Sequence, residues 1–129
     1  MRSDVGRFFR FSLGMLRFEL HPRLRFPASG PHNFGPGKAD LLTEIERNGS
    51  IRTAAVAMSM SYQRAWNLVN EMNNLFSEPL VEMSRGGESG GGAQLTETGH
   101  KVLEYYRKMQ QKCLEVTAPE CEQLKKLLR

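Results

Sequence analysis

The feature that most constrains this chain is a pair of helix-start signals packed tightly behind a helix stop. Asn48-Gly49 suits the positive φ that ends a helix. Ser50 follows at once, and its side-chain oxygen is suited to accept from the free amides of a new first turn. A second such serine, Ser61, comes after a short break at Ser59-Met60. Ile51, Ala54, Ala55 and Met58 give the first of these helices a small-residue face fit for close packing. The second runs to about Phe76, with Ala65, Leu68, Val69, Met72, Leu75 and Phe76 at helical spacing. Its other face carries Gln63, Arg64, Asn67, Asn70 and Asn74. Ahead of the pair, the spacing predicts a helix over about Lys38 to Arg47. Leu41, Leu42 and Ile45 form its apolar face, with Asp40, Glu44 and Glu46 largely outside it.

Pro79 ends the polar-faced helix. Leu80 to Met83 reads as a short strand, Arg85 to Gly92 as a flexible glycine-rich turn, and Ala93 to Leu95 as the returning strand. Thr96 is placed to cap a long helix beginning near Glu97. Within it Val102, Tyr106, Met109, Cys113 and Val116 step by four and three residues, a heptad seam for another helix. Thr117-Ala118-Pro119-Glu120 reads as a capping box with an early proline, opening a last short helix that buries Cys121, Leu124 and Leu128. At the other end, Leu16 to Leu20 and Leu24 to Phe26 alternate apolar with charged residues and read as two strands joined through His21-Pro22. Pro27 to Gly37 reads as a loop. Residues 1–14 give no structural signal, and Met15 is a candidate translation start.

The expected fold is therefore mainly α with small β: a winged helix-turn-helix with a long C-terminal dimerisation helix. The divisions are an extension at 1–14, the winged domain at 15–95 and dimerisation helices at 96–129. In this fold the front turn of the polar-faced helix enters the major groove of double-stranded DNA. Gln63, Arg64 and Asn67 sit there, and such side chains pair with base edges in two-pronged geometry. Ser50 with the amides beside it is a candidate phosphate contact, as are Arg52 and, at the base of the wing, Arg85. Trp66, one step from Ala65, reads as packing beneath the wing.

The stretch GSIRTAAVAMSMSYQRAWNLVNEMNNLFSEPLVEMSRGGESGGGAQLTETG resembles the DNA-binding domain of the ModE-type, molybdate-responsive regulators. The set GSI, SYQRAW, NEMN, EPLVE and LTETG carries the resemblance, which spans roughly residues 15–116. LysR-type domains are more distantly similar. The resemblance implies a homodimer on a palindromic operator, joined through the long helix. It places the DNA-facing surface on Ser61, Tyr62, Gln63, Arg64 and Asn67, and the wing on Arg85 to Gly92, including Gly86 and Gly90. Two departures stand out. ModE regulators bind molybdate in a separate C-terminal region, whereas this sequence ends about thirty residues into its last helices. DNA binding is thus implied and molybdate sensing is not. The wing also carries Glu88 where a basic residue would suit a phosphate.

Composition is compatible without being decisive. Hydrophobic residues make up 40% and charged residues 25%, which is globular rather than disordered. The formal net charge is +4, yet residues 48–95 hold three Lys/Arg against four Asp/Glu, so placement rather than bulk charge must carry a DNA reading. The two cysteines and three histidines lack metal-ligand spacing, so no metal and no cofactor is expected. The wing glycines lack the GK[ST] ending of a P-loop, and no catalytic constellation is visible, so an enzyme is not expected. No uninterrupted apolar run suits a membrane span or signal peptide, which makes a cytoplasmic protein the expectation. Two rival readings remain: a winged protein-interaction module, and a sensor of an oxyanion effector such as molybdate.

Overall fold

The apolar spacing of residues 38–47 sets the frame. The computed structural model describes residues 20–27, 32–84 and 91–129. There α1 spans Pro36–Asn48, with Leu41, Leu42 and Ile45 completely buried. Each such side chain contributes about 1.5–3 kcal/mol relative to exposure. Pro36 opens the helix where a missing N–H costs nothing. Gly49 closes it at φ 74, donating its N–H to the Ile45 carbonyl at 2.8 Å. Glu44, expected on the outer face, is instead 8% exposed. Arg47 and Asn48 each donate to its carboxylate at 3.1 Å, which offsets the cost of burying the charge.

Both serine caps form as the sequence suggests. Ser50 Oγ accepts from Thr53 N at 3.0 Å to open α2 (Ile51–Ala57), and Ser61 Oγ accepts from Arg64 N at 3.1 Å to open α3 (Tyr62–Leu75). Ala54, Ala55 and Ala65 are buried at the start of this pair, and their small side chains let α2 and α3 approach closely. The turn between them contains Ser59 in the left-handed region at φ 56.

The wing consists of β3 (Val81–Ser84) and β4 (Gly92–Leu95), antiparallel with Val81 opposite Leu95 and Ser84 opposite Gly92. Val81, Ala93 and Leu95 are buried while Glu82 and Gln94 face outward, the alternation of a half-buried ribbon. Ala93 N donates to the Gly49 carbonyl at 2.9 Å, fixing the wing to the turn between α1 and α2. The wing tip, residues 85–90, lies outside the described residues.

Two expectations are corrected. Of the predicted N-terminal strand pair, residues 16–19 lie outside the described residues, and Leu20 to Arg25 form no strand. Instead β1 (Phe26–Pro27), which begins on the last residue of the second expected strand, pairs with β2 (Asn33–Phe34) in the stretch read as a loop. The cause is Phe34, which is 2% exposed and meets Phe76 edge-on at 5.7 Å, so that segment is held by the core. The second correction concerns the C-terminus. There α4 runs unbroken over Glu97–Lys125 with Pro119 inside it, rather than ending before a separate short helix. Thr117, read as the cap of that helix, donates its hydroxyl back to the Cys113 carbonyl at 2.5 Å.

The chain divides into two compact units, Leu24–Leu103 and the remainder. The first unit takes in the opening turns of α4, beyond the boundary expected at residue 95. The reason lies in the LTETG segment. Thr96 Oγ1 accepts from Gly99 N at 3.0 Å and donates to the Pro79 carbonyl at 2.7 Å, and Thr98 donates to Glu78 at 2.7 Å. A Cβ on Gly99 would lie 2.1 Å from the Leu80 carbonyl oxygen, so only glycine permits this approach. In the second unit, Gln110 is buried, donating to the Pro22 carbonyl at 3.2 Å and accepting from Arg107 at 3.0 Å.

Candidate nucleic-acid interface

The front of α3 is built as a rigid edge with a polar outer face. Ala65, Val69 and Met72 are buried, which fixes the rotation of the helix, and Ser61 closes its first turn. That rotation leaves Ser61, Tyr62, Gln63, Arg64 and Asn67 exposed together, as the sequence suggests. Gln63 Nε2 donates to Asn67 Oδ1 at 3.0 Å, so the two amides form one unit along the face. Arg64 has no ion-pair or hydrogen-bonding partner for its side chain among the described residues. Trp66 is half-buried.

In a segment of slightly acidic composition, the placement of the individual charges matters more than their sum. The described acids near α3 and the wing are engaged. Glu71 pairs with Lys38 at 3.1 Å, Glu78 accepts from Thr98, and Glu82 accepts from Gln94 at 2.9 Å. Lys38 itself is 9% exposed and also donates to the Asn33 carbonyl at 2.5 Å. The two described arginines of this region, Arg52 and Arg64, are exposed. The Arg52 guanidinium lies 4.6 Å over the Tyr62 ring, a cation–π contact that holds its charge beside the start of α3. Ser50 and Ser61 are both engaged as caps, and Ser50 also shares a short hydrogen bond with Thr53 Oγ1. The predicted wing residues Arg85, Gly86 and Gly90, and Glu88 with them, lie outside the described residues.

One positioning residue was missed by the sequence reading. Asn73, on the inner side of α3, accepts from Leu80 N at 2.8 Å and Val81 N at 3.1 Å, and donates to the Val81 carbonyl at 3.1 Å. It fastens the entry of the wing to α3. Its only sequence signal is helical spacing, which puts Asn73 four residues after Val69 on the inner stripe, unlike Asn67, Asn70 and Asn74. His100, in the first turn of α4, places its Nδ1 2.8 Å from Glu46 Oε2.

The seam expected along α4 is partly corrected. Tyr106 is 1% exposed and already belongs to the interior of the chain, so it has no surface to offer a partner. Val102 and Cys113 are half-buried, and Met109 and Val116 are 38% and 76% exposed. Tyr105, at 61%, stands on the exposed side in place of its neighbour. Among the described residues no cluster of metal-ligating side chains occurs, and no helix is long and apolar enough to cross a membrane.

Comparison with known proteins agrees with this geometry. The chain is 47% identical over 70 residues to the molybdenum transport protein ModE of Azotobacter vinelandii, covering 54% of this chain and 26% of that protein. It is 40% identical over 84 residues to the DNA-binding transcriptional dual regulator ModE of Escherichia coli (strain K12), covering 63% and 32%. It is 40% identical over 80 residues to the molybdenum-pterin-binding protein MopA of Rhodobacter capsulatus, covering 62% and 30%. No family model matches the chain. The chain thus resembles ModE-type regulators while spanning about a quarter to a third of the length of the curated relatives it matches.

Proposed function

We propose that this protein is a sequence-specific DNA-binding transcriptional regulator that binds a palindromic operator as a homodimer in the cytoplasm and catalyses nothing itself. The observation that carries the reading is the front of α3. An arginine without a partner among the described residues and a coupled pair of amides stand exposed on a helix whose inner face is locked into the core. Major-groove edges offer the complementary donors and acceptors. Arg64, Gln63 and Asn67 face base edges. Arg52, Tyr62, Ser50 and Ser61 lie against the phosphates on either side, with Arg85, Gly86 and Gly90 of the wing tip on the next rail.

Dimerisation is supported by the apolar side chains that α4 leaves uncovered, Tyr105, Met109 and Val116. With Val102 and Cys113 they form the seam between copies. A two-fold pair of such units sets its recognition helices about 34 Å apart, one turn of DNA. Occupation of the operator alters access to a promoter, and the resemblance to ModE regulators supports that role. The test is fluorescence anisotropy with the chain's own upstream DNA and a scrambled duplex across a salt series. Tighter binding to the upstream sequence, weakening steeply with salt, is expected. Equal binding to both, with no sequence enriched from random duplexes, contradicts the proposal.

A further inference from the structure

The side chains on α3 also constrain which bases are read, and this inference rests on the DNA-reading function proposed above. We infer that the operator half-site places an adenine, read jointly by Gln63 and Asn67, next to a guanine read by Arg64.

The starting point is the bond from Gln63 Nε2 to Asn67 Oδ1 at 3.0 Å. It determines what the pair has left to offer. The Gln63 carbonyl oxygen remains a full acceptor, while both hydrogens of the Asn67 amide and the second hydrogen of Gln63 Nε2 remain donors. The pair therefore presents one free acceptor with donors beside it, held relative to each other by the internal bond. Each major-groove edge can be compared with that pattern. Adenine presents an acceptor at N7 and a donor at N6, which matches both groups. Guanine presents acceptors only and so leaves the Gln63 oxygen without a donor. Thymine and cytosine each present a single polar group and leave one member of the pair without a partner. Adenine is the base that satisfies both. The internal bond adds to the preference, because the two amides are ordered before DNA arrives and lose less freedom on binding.

Arg64 is the complement of this pair. Its guanidinium is exposed and without a partner among the described residues, and its fork of donors matches guanine O6 and N7. Along α3 it stands between the two amides in sequence, three residues before Asn67. At about 1.5 Å of rise per residue that is about 4.5 Å along the helix. Successive base pairs are about 3.4 Å apart. That spacing is of the order of one base-pair step, which suits readouts on neighbouring base pairs.

The test is selection from random duplexes by the full-length chain as wild type, Arg64→Ala, Gln63→Ala, Asn67→Ala and Asn67→Arg, with folding followed by circular dichroism. The wild type is expected to enrich half-sites with adjacent guanine and adenine. Gln63→Ala or Asn67→Ala should each lower the preference for adenine roughly tenfold and leave guanine in place. Arg64→Ala should do the reverse, and Asn67→Arg should convert the adenine position toward guanine. Replacing that adenine by 7-deazaadenine, which lacks the N7 acceptor, should weaken wild-type binding and leave Asn67→Ala unchanged. A wild type that enriches a sequence which the amide variants read identically overturns the base assignment and leaves DNA reading intact. A wild type that enriches no sequence overturns the DNA reading and this inference with it.

Discussion

The front of α3 and the distal part of α4 are both helical surfaces, built in opposite senses. On α3 the apolar side chains Ala65, Val69 and Met72 are buried, and the groups left outside are polar. On α4 and the residues after it, Val116, Leu124 and Leu127 are 76%, 60% and 85% exposed. A surface of fixed donors and acceptors recognises a polar ligand through directed hydrogen bonds. A surface of uncovered apolar side chains gains free energy by excluding water against another such surface. The same chain thus carries one face suited to reading and one suited to association. The Leu24–Leu103 unit should be sensitive to small packing changes that the distal helix tolerates.

The largest expected effect is Gly99→Ala. The added methyl meets the Leu80 backbone, and overpacking of this kind costs about 3 kcal/mol. Urea unfolding should show the loss, and a change under about 1 kcal/mol would mean the contact between α4 and the wing entry is loose. Asn73→Ala comes next. It leaves two backbone amides and a carbonyl without their partner and should cost about 2 kcal/mol in the same measurement. Unchanged stability would show that the wing is held without it.

Val116→Asp turns the comparison around. It should leave the unfolding of the winged unit unchanged while weakening self-association at least about tenfold by analytical ultracentrifugation, a difference of about 1.4 kcal/mol. Undiminished association would remove α4 from the dimer seam. The smallest effect is a gain. Ser59 sits at φ 56, where a side chain is strained, so Ser59→Gly should add about 0.5–1 kcal/mol to thermal stability. A loss would show that the serine side chain makes a contact worth more than the strain.

What the sequence made legible was mostly local chemistry. Gly49, Ser50, Ser61 and Thr96 act within one turn of their own positions, and each behaves as its residue type dictates. The polar face of α3 was readable for the same reason, since periodicity alone separates it from the buried side. What escaped was non-local. Asn73 looks like any helix-surface amide until the chain returns at Leu80 and Val81. The pairing of Phe26 with Phe34 depends on Phe34 reaching Phe76, forty-two positions away in sequence. At Thr117 the sequence reads as the cap of a new helix. The hydroxyl bonded backward to Cys113, and α4 continued through Pro119. On α4, heptad spacing did not separate Tyr105 from Tyr106, because which of the two faces outward is set by the interior and not by the stripe.

The central claim is that the front turn of α3 reads DNA sequence. Its most direct measurement is the ratio of affinities for the upstream operator and a scrambled duplex, taken at one moderate salt concentration with wild type and Arg64→Ala. The predicted result is a large ratio for the wild type that falls about tenfold or more in the variant, while affinity for scrambled DNA changes far less. An Arg64→Ala protein that remains folded and discriminates as well as the wild type would contradict the claim.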